Sequence, residues 1–331
     1  MISVRTPFRL PIGGGGTDLP AYYSEHGGLL LTATINKYMI VNVNISALVE
    51  KIRVSYSKTE NVEIGEIEKI QHDIVRETLK YFKYQSKIDI TSMADLPAGT
   101  GMGSSSSFTV GLLHAVMTLE GKNFSKKELA DLACEIEINK CNKPIGKQDQ
   151  YAAAFGGINL LRIDRNGNVD VTKINLESEI IHELECRFML FFTGIERDAN
   201  KILIEQSKKA LGNALDAVSA MHMIKDIGKE IYYALLKGDI DLVGHLLNEH
   251  WNTKKRISNK VSDPFIDKWY ETALSNGAIG GKIMGAGGGG LFLFCVKPNE
   301  RKNLRSVLES KGLRYLDFRF DWEGSKLLVN F

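Results

Sequence analysis

Apolar residues recur at spacings of four, three and four through Phe108, Leu112, Ala115 and Leu119. That is one face of an amphipathic helix beginning at the serines 104–107. Ser125 and Glu128 form a capping-box signature, which opens a second helix with Leu129, Leu132, Ala133 and Ile136 on one face. Upstream, a short strand at 2–10 is broken by Pro7 and Pro11, and a helix-like stretch covers 19–25. β-Branched residues predict strands at 29–35, 39–45, 52–56 and 87–91, with a helical period through 67–84. Downstream, 158–184 reads as a β-ribbon turning at 164–168. An apolar strand at 188–193 follows, then a long helical tract to about residue 237 and helices at 239–255 and 263–276. A buried strand at 291–296, a helix at 300–311 and two strands close the chain. A domain boundary is placed near residue 185, dividing 1–184 from 185–331.

Glycine punctuates this pattern at three places, 13–16, 99–103 and 285–290. Gly99, Gly101 and Gly103 alternate with Thr100 and Met102. Glycine adopts positive φ without a Cβ clash, so successive N–H groups there can turn toward one anion at the start of the 104–119 helix, where the helix dipole favours negative charge. The bland alternative is a surface loop. The motif is not a Walker A loop, because Ser104 and not lysine follows Gly103. Nor is it a dinucleotide fingerprint, because the spacing is G-x-G-x-G and Glu120 ends a helix pattern, not a strand. Four consecutive glycines at 13–16 cost backbone entropy, which points to close backbone approach. Asp18 after them either accepts hydrogen bonds from sugar hydroxyls or caps the following helix. Between the second and third loops, Lys147 and Asp149 stand two apart in a turn. They form either a surface ion pair or a carboxylate governed by a neighbouring ammonium.

Composition narrows the classes. At 331 residues the chain suits two domains of ordinary size, and its 44% apolar and 25% charged residues are those of a globular protein. A net charge of +2 from 42 basic and 40 acidic residues gives no reason to expect a nucleic-acid or membrane surface. The triplet 254–256 reads as a solvated helix face, and the histidines at helical spacings as packing residues. Four scattered cysteines read as buried thiols of a reducing compartment, and no apolar run approaches a membrane span. A cytoplasmic location is expected. No H-E-x-x-H occurs among the seven histidines, which argues against a histidine-bound metal.

Three glycine loops in this order, with the Asp149 segment between the second and third, resemble the GHMP kinase family over nearly the whole chain. The stretch from Pro97 to Ser106 is similar to that family's phosphate loop, with Met102 for the usual leucine. FRLPIGGGGTDLP, GKQDQYAAAFGG and KIMGAGGGGLFLF look most like the bacterial D-glycero-D-manno-heptose 7-phosphate kinases within it. The resemblance implies an α+β fold with an N-terminal mixed-sheet domain and a C-terminal ferredoxin-like domain, and ATP and a sugar phosphate in the cleft between. It implies ATP phosphates against Pro97, Gly99, Thr100, Gly101, Met102, Gly103, Ser104, Ser105 and Ser106. It also implies Mg²⁺ on Ser105 and Glu137, with Glu135 the alternative. Asp149 matches a catalytic aspartate and Arg9 a catalytic arginine, and Lys147 is a further group for charge near the acceptor. Substrate contacts fall at Gly14, Gly15, Gly16, Thr17, Asp18, Gly287 and Gly288. Gly15-Gly16 replace the glutamate–histidine pair of galactokinase, which leaves room for a bulkier, more anionic sugar, and Arg197 and Lys201 are expected to hold its phosphate. The implied reaction phosphorylates the anomeric hydroxyl, in a GDP-heptose route to surface polysaccharide. The implied alternatives are a fucokinase- or galactokinase-like enzyme and a non-catalytic sugar sensor. A homodimer remains open.

Overall fold

Antiparallel pairing of the first two strands sets the frame. β1 (Ile2–Gly13) pairs with β2 (Gly28–Asn44) from Ile2 opposite Val43 to Gly13 opposite Leu31. The register shifts between Pro7 and Phe8 and between Pro11 and Gly13, because proline has no N–H to give the ladder and is accommodated at irregularities. The prolines therefore offset a continuous strand without ending it. The two strands expected at 29–35 and 39–45 are likewise one, since no turn interrupts 36–38. The computed structural model describes residues 1–196, 202–205, 215–258 and 260–331.

The chain continues through α1 (Pro20–His26), β3 (Lys51–Ser55), β4 (Thr59–Glu63), α2 (Asp73–Tyr81) and β5 (Ile88–Ala94). The helix expected at 67–84 is split into a short 3-10 turn, Ile67–Lys69, and α2. Then come α3 (Ser104–Leu119), α4 (Lys126–Cys134), a π-helical turn (Glu135–Lys140), α5 (Gln148–Phe155), β6 (Ile158–Ile163) and β7 (Val169–Lys173). The ribbon expected to reach 184 stops at β7. α6 (Ser178–Arg187) follows, with Ile180, Ile181 and Leu184 at helical spacing turned to the core.

The first sheet runs from β12 (Lys326–Asn330) through β1, β2, β5 and β3 to β4, and β6 pairs with the front of β2 while β5 takes the rear. Among the described strands of this sheet only β3 and β5 run parallel, which makes it mixed. The second half contains β8 (Phe188–Phe192), α7 (Leu215–Lys237), α8 (Ile240–Lys255), α9 (Pro264–Ser275), β9 (Ala278–Ile283), β10 (Leu291–Val296), α10 (Arg301–Ser310) and β11 (Arg314–Leu316). Its antiparallel order β11-β8-β10-β9 is the ferredoxin-like arrangement. β12 (Lys326–Asn330) then returns to β1, so the end of the chain rejoins the first sheet.

Glycines permit close approaches both between the halves and within the second. A Cβ on Gly228 of α7 would lie 2.9 Å from the Gly14 nitrogen, and one on Gly280 of β9 would lie 2.1 Å from the Gly244 carbonyl of α8. α7 therefore lies against the first glycine loop, and α8 lies close on β9. Among the described residues no helix is long and apolar enough to cross a membrane. All four cysteines are free thiols, Cys134 and Cys295 buried but Cys186 exposed, contrary to the expectation that all are buried.

His114 on α3 shares a 2.7 Å hydrogen bond with Ser325 just before β12, and burial pushes its pKa from 6.5 down to about 4. The unfolded chain thus takes up this proton between about pH 6.5 and 4 while the folded chain does not, so stability falls as pH drops through that window. Replacing it by His114→Gln should flatten that part of the pH–stability curve, as measured by urea denaturation at pH 7, 5.5 and 4.5.

Candidate active site

The three glycine loops meet at one cavity of about 290 Å³. In the first loop, the Thr17 hydroxyl donates to Gly14 O at 2.8 Å and accepts from Leu29 N at 3.1 Å. Gly14 is held so closely that a Cβ there would sit 1.9 Å from Leu29 O. Thr17 and Gly14 are therefore the loop's buried anchor, while Gly15 and Gly16 line the cavity. Asp18 does not cap α1. Its carboxylate accepts from Gly16 N at 3.2 Å and Gln148 N at 3.1 Å, fastening the first loop to the start of α5. Burial, with the charge of Asp149 nearby, raises its pKa.

The second loop joins β5 to α3. α3 starts at Ser104 as expected, with Gly103, at φ +77°, as its N-cap, and no side chain caps the helix. First-turn N–H groups of α3 are thus left for an outside acceptor. Gly99, Gly101, Met102, Gly103, Ser104, Ser105 and Ser106 line the cavity. Pro97 and Thr100 lie behind it, where the Thr100 hydroxyl donates to Pro97 O at 3.1 Å and Thr100 O accepts from Leu291 N at 3.1 Å. That last bond joins the second loop to the third. In the third loop Gly285 and Ala286 face the cavity, whereas Gly287 and Gly288 pack on Val261, with Gly288 N donating to Val261 O at 2.7 Å.

Arg9 sits where these parts converge. Its Nε donates to Asp149 Oδ1 at 2.6 Å, Nη2 to Oδ2 at 3.2 Å and Nη1 to Gly101 O at 2.6 Å. Such a bidentate, charge-assisted pair fixes the plane of the carboxylate and still leaves it oxygen lone pairs. The cation paired with Asp149 is therefore Arg9 and not Lys147. The Lys147 ammonium turns away, donating to Gly167 O and lying 5.6 Å from the Tyr23 ring centroid.

A second carboxylate lies beside α3. Glu137 is fully buried; its Oε1 accepts from the Ser105 hydroxyl at 2.6 Å and its Oε2 from Gln150 Nε2 at 2.7 Å. The π-helical turn separates the two glutamates, turning Glu137 inward and leaving Glu135 paired with Lys140 at 3.3 Å. The Lys143 ammonium lies 2.9 Å from the Ser105 hydroxyl and 3.6 Å from Glu137, so a cation already stands at this pair. One carboxylate and one hydroxyl, all oxygen, fit Mg²⁺, which keeps waters and shares phosphate oxygens instead of requiring a full protein cage.

Several cavity residues have no local sequence signal. Lys143 stands beside Ser105, and His250, Lys254 and Lys282 line the wall formed by α8 and β9; Gln150, also without such a signal, is buried behind the cavity on Glu137. Lys254, expected on a solvated face, is only 6% exposed, because α8 lies directly on β9. Arg197 and Lys201, expected to hold a sugar phosphate, lie outside the described residues.

Models of the GHMP kinases N terminal domain and the GHMP kinases C terminal region match residues 71–157 and 231–313. The chain is 33% identical to the D-glycero-alpha-D-manno-heptose 7-phosphate kinase of Campylobacter jejuni, over 98% of each chain. It is 25% identical to a galactokinase of Pyrococcus furiosus, over 99% of this chain and 97% of the other. Among solved structures, a D-glycero-D-manno-heptose 1-phosphate kinase of Bacteroides thetaiotaomicron is similar over 100% of both chains, with a TM-score of 0.82 and 27% identity.

Gly103 carries both a left-handed φ and the closest approach at this site. A Cβ there would stand 3.0 Å from both Arg9 Cγ and Asp149 Oδ2. The variant Gly103→Ala should lose about 1–3 kcal/mol of stability in urea denaturation, and its crystal structure should show the Arg9–Asp149 pair displaced.

Proposed function

The chain belongs to the GHMP kinase family and is a phosphotransferase acting on a sugar hydroxyl, and we propose that it uses ATP to phosphorylate the anomeric hydroxyl of D-glycero-D-manno-heptose 7-phosphate. The products are the heptose 1,7-bisphosphate, ADP and a proton. The observation that carries this reading is Asp149, held by Arg9 in the cavity that the uncapped start of α3 also faces. Phosphoryl transfer leaves the protein mainly positioning and charge stabilisation to perform, and this cavity offers groups for both.

In the proposed reaction Asp149 accepts the proton of the attacking hydroxyl. Arg9 holds that carboxylate in place. The backbone N–H groups of the second loop and the first turn of α3 receive the nucleotide's phosphates. Ser105 and Glu137 would hold Mg²⁺, with Gln150 orienting the glutamate. The ion, when bound, neutralises charge that develops on the phosphate oxygens. The acceptor occupies the side of the cavity lined by Gly15, Gly16 and Asp18, where a Cβ on Gly15 would meet none of the described residues within 4 Å. That open space supports a larger acceptor than a free hexose.

The names of the relatives place phosphate at either end of a heptose, one as a 7-phosphate and one as a 1-phosphate. The decisive assay therefore follows ADP release with heptose 7-phosphate, heptose 1-phosphate, free heptose, galactose and fucose. Heptose 7-phosphate should give the highest kcat/KM, and comparable turnover of galactose or fucose would overturn the assignment. A positioned general base contributes about 10²- to 10⁴-fold, so Asp149→Asn should lower kcat by at least roughly 10²-fold. Turnover within a few-fold of the parent would remove Asp149 from the role of base.

A further inference from the structure

One basic side chain of the cavity stands where the proposed reaction needs a divalent cation. Lys143 lines the cavity beside the start of α3, with its ammonium 2.9 Å from the Ser105 hydroxyl and 3.6 Å from Glu137 Oε1. The Glu137 side chain is 0% exposed, and among the described residues Lys143 is the only cation within 4.0 Å of its carboxylate. A buried carboxylate without a compensating charge is costly, so this lysine does for Glu137 what a metal ion would otherwise do.

The backbone commits Lys143 to that place. Its N–H donates to Glu137 O at 3.0 Å, which folds the chain leaving the π-helical turn back over the glutamate. Asn142, immediately before it, has φ +52°, a left-handed value that asparagine adopts more readily than most side chains. Pro144, immediately after it, disfavours helical backbone at Lys143. The peptide is thus constrained on both sides, and the freedom that remains is in the lysine side chain.

That side chain has a second carboxylate within reach. Lys143 Nζ lies 3.8 Å from Oδ2 of Asp73, the first residue of α2, whose side chain is 43% exposed. The ammonium therefore stands between a buried anion and a solvated one. The Ser105 hydroxyl, meanwhile, donates to Glu137 and accepts from Lys143, so the oxygens that fit Mg²⁺ already serve an ammonium. Two cations that need the same oxygens repel each other at such distances.

We propose that Lys143 is a resident counter-cation of the Ser105–Glu137 pair, which holds these oxygens in the metal-free enzyme and shifts toward Asp73 when a divalent ion is bound. The inference rests on the Mg²⁺-dependent kinase reading of this cavity and adds the residue that sets its metal affinity. The enzyme alone binds the ion weakly as a result. Nucleotide phosphates bring the negative charge that accommodates both cations, so ion and nucleotide favour each other's binding.

Titration of Mn²⁺, a spectroscopic stand-in for Mg²⁺, into the nucleotide-free protein reads this competition without any turnover. Close charge pairs couple by a factor of roughly ten or more, so Lys143→Met should bind Mn²⁺ at least about tenfold tighter than the parent in electron paramagnetic resonance. An affinity equal to or weaker than the parent's overturns the proposal. The gain should vanish in the double variant Glu137→Gln/Lys143→Met, and a gain that persists there puts the ion elsewhere and overturns it too.

Thermal shift in EDTA covers loss of fold. Lys143→Met should melt below the parent, because Glu137 is left buried and unpaired, and the double variant should melt above the single one, because both charges are gone. A double variant no more stable than the single one gives Lys143 a purely structural role and refutes the exchange. If the parent phosphorylates no sugar, the functional reading fails, while the Mn²⁺ titration still decides whether Lys143 and a divalent ion compete for this carboxylate.

Discussion

Arg9 makes the contact on which the rest of the site depends. Its backbone N–H donates to Met102 O at 3.1 Å, its Nη1 to Gly101 O, and its remaining guanidinium donors clamp Asp149. One side chain from the first strand therefore fixes the loop at the start of α3 and the carboxylate of α5 against each other. The ion pair is largely buried on the arginine side, with Arg9 8% and Asp149 24% exposed. A partly desolvated, bidentate pair of this kind resists reorientation far more than a surface ion pair does.

That clamp sets the backbone around it. Gly103 must be small because its Cα faces both members of the pair, and Gly14 must be small because Leu29 O presses on it. The third loop is drawn in by Leu291 N donating to Thr100 O, where a Cβ on Gly290 would lie 2.4 Å from the same carbonyl. Glycine runs that look like mobile linkers in one dimension are close backbone contacts in three. They also join the mixed sheet to the ferredoxin-like half and bring the two walls of the cavity within reach of one ligand.

Local periodicity carries most of the fold. Spacings of three and four mark α3, the capping box marks α4, and the apolar run at 291–296 marks β10. The sequence signal fails where tertiary contacts decide. Pro7 and Pro11 look like strand breakers but sit at register shifts, and α6 follows a ribbon too short for its alternation to be judged. In the site, the glycine loops, Ser105 and Asp149 stand out because their spacing is local. The choice between Glu135 and Glu137 does not, because one π-helical turn alters which side chain faces inward. Lys147 lies two residues from Asp149 yet points to Gly167, while the partner of Asp149 comes from 140 residues away. His250, Lys254 and Lys282 carry no local signal at all, since their meeting depends on α8 resting on β9.

The resulting cavity brings the start of α3, the Arg9–Asp149 pair and the first glycine loop to one space. Arg9 keeps the loop and the carboxylate in register there. A crystal structure with a non-hydrolysable ATP analogue, Mg²⁺ and heptose 7-phosphate tests this arrangement most directly. The β- and γ-phosphates should lie within about 2.7–3.2 Å of backbone N–H groups in residues 101–106, and the anomeric hydroxyl should be in hydrogen-bond reach of Asp149. Polyphosphate bound away from that loop, or an acceptor hydroxyl remote from Asp149, would contradict the account.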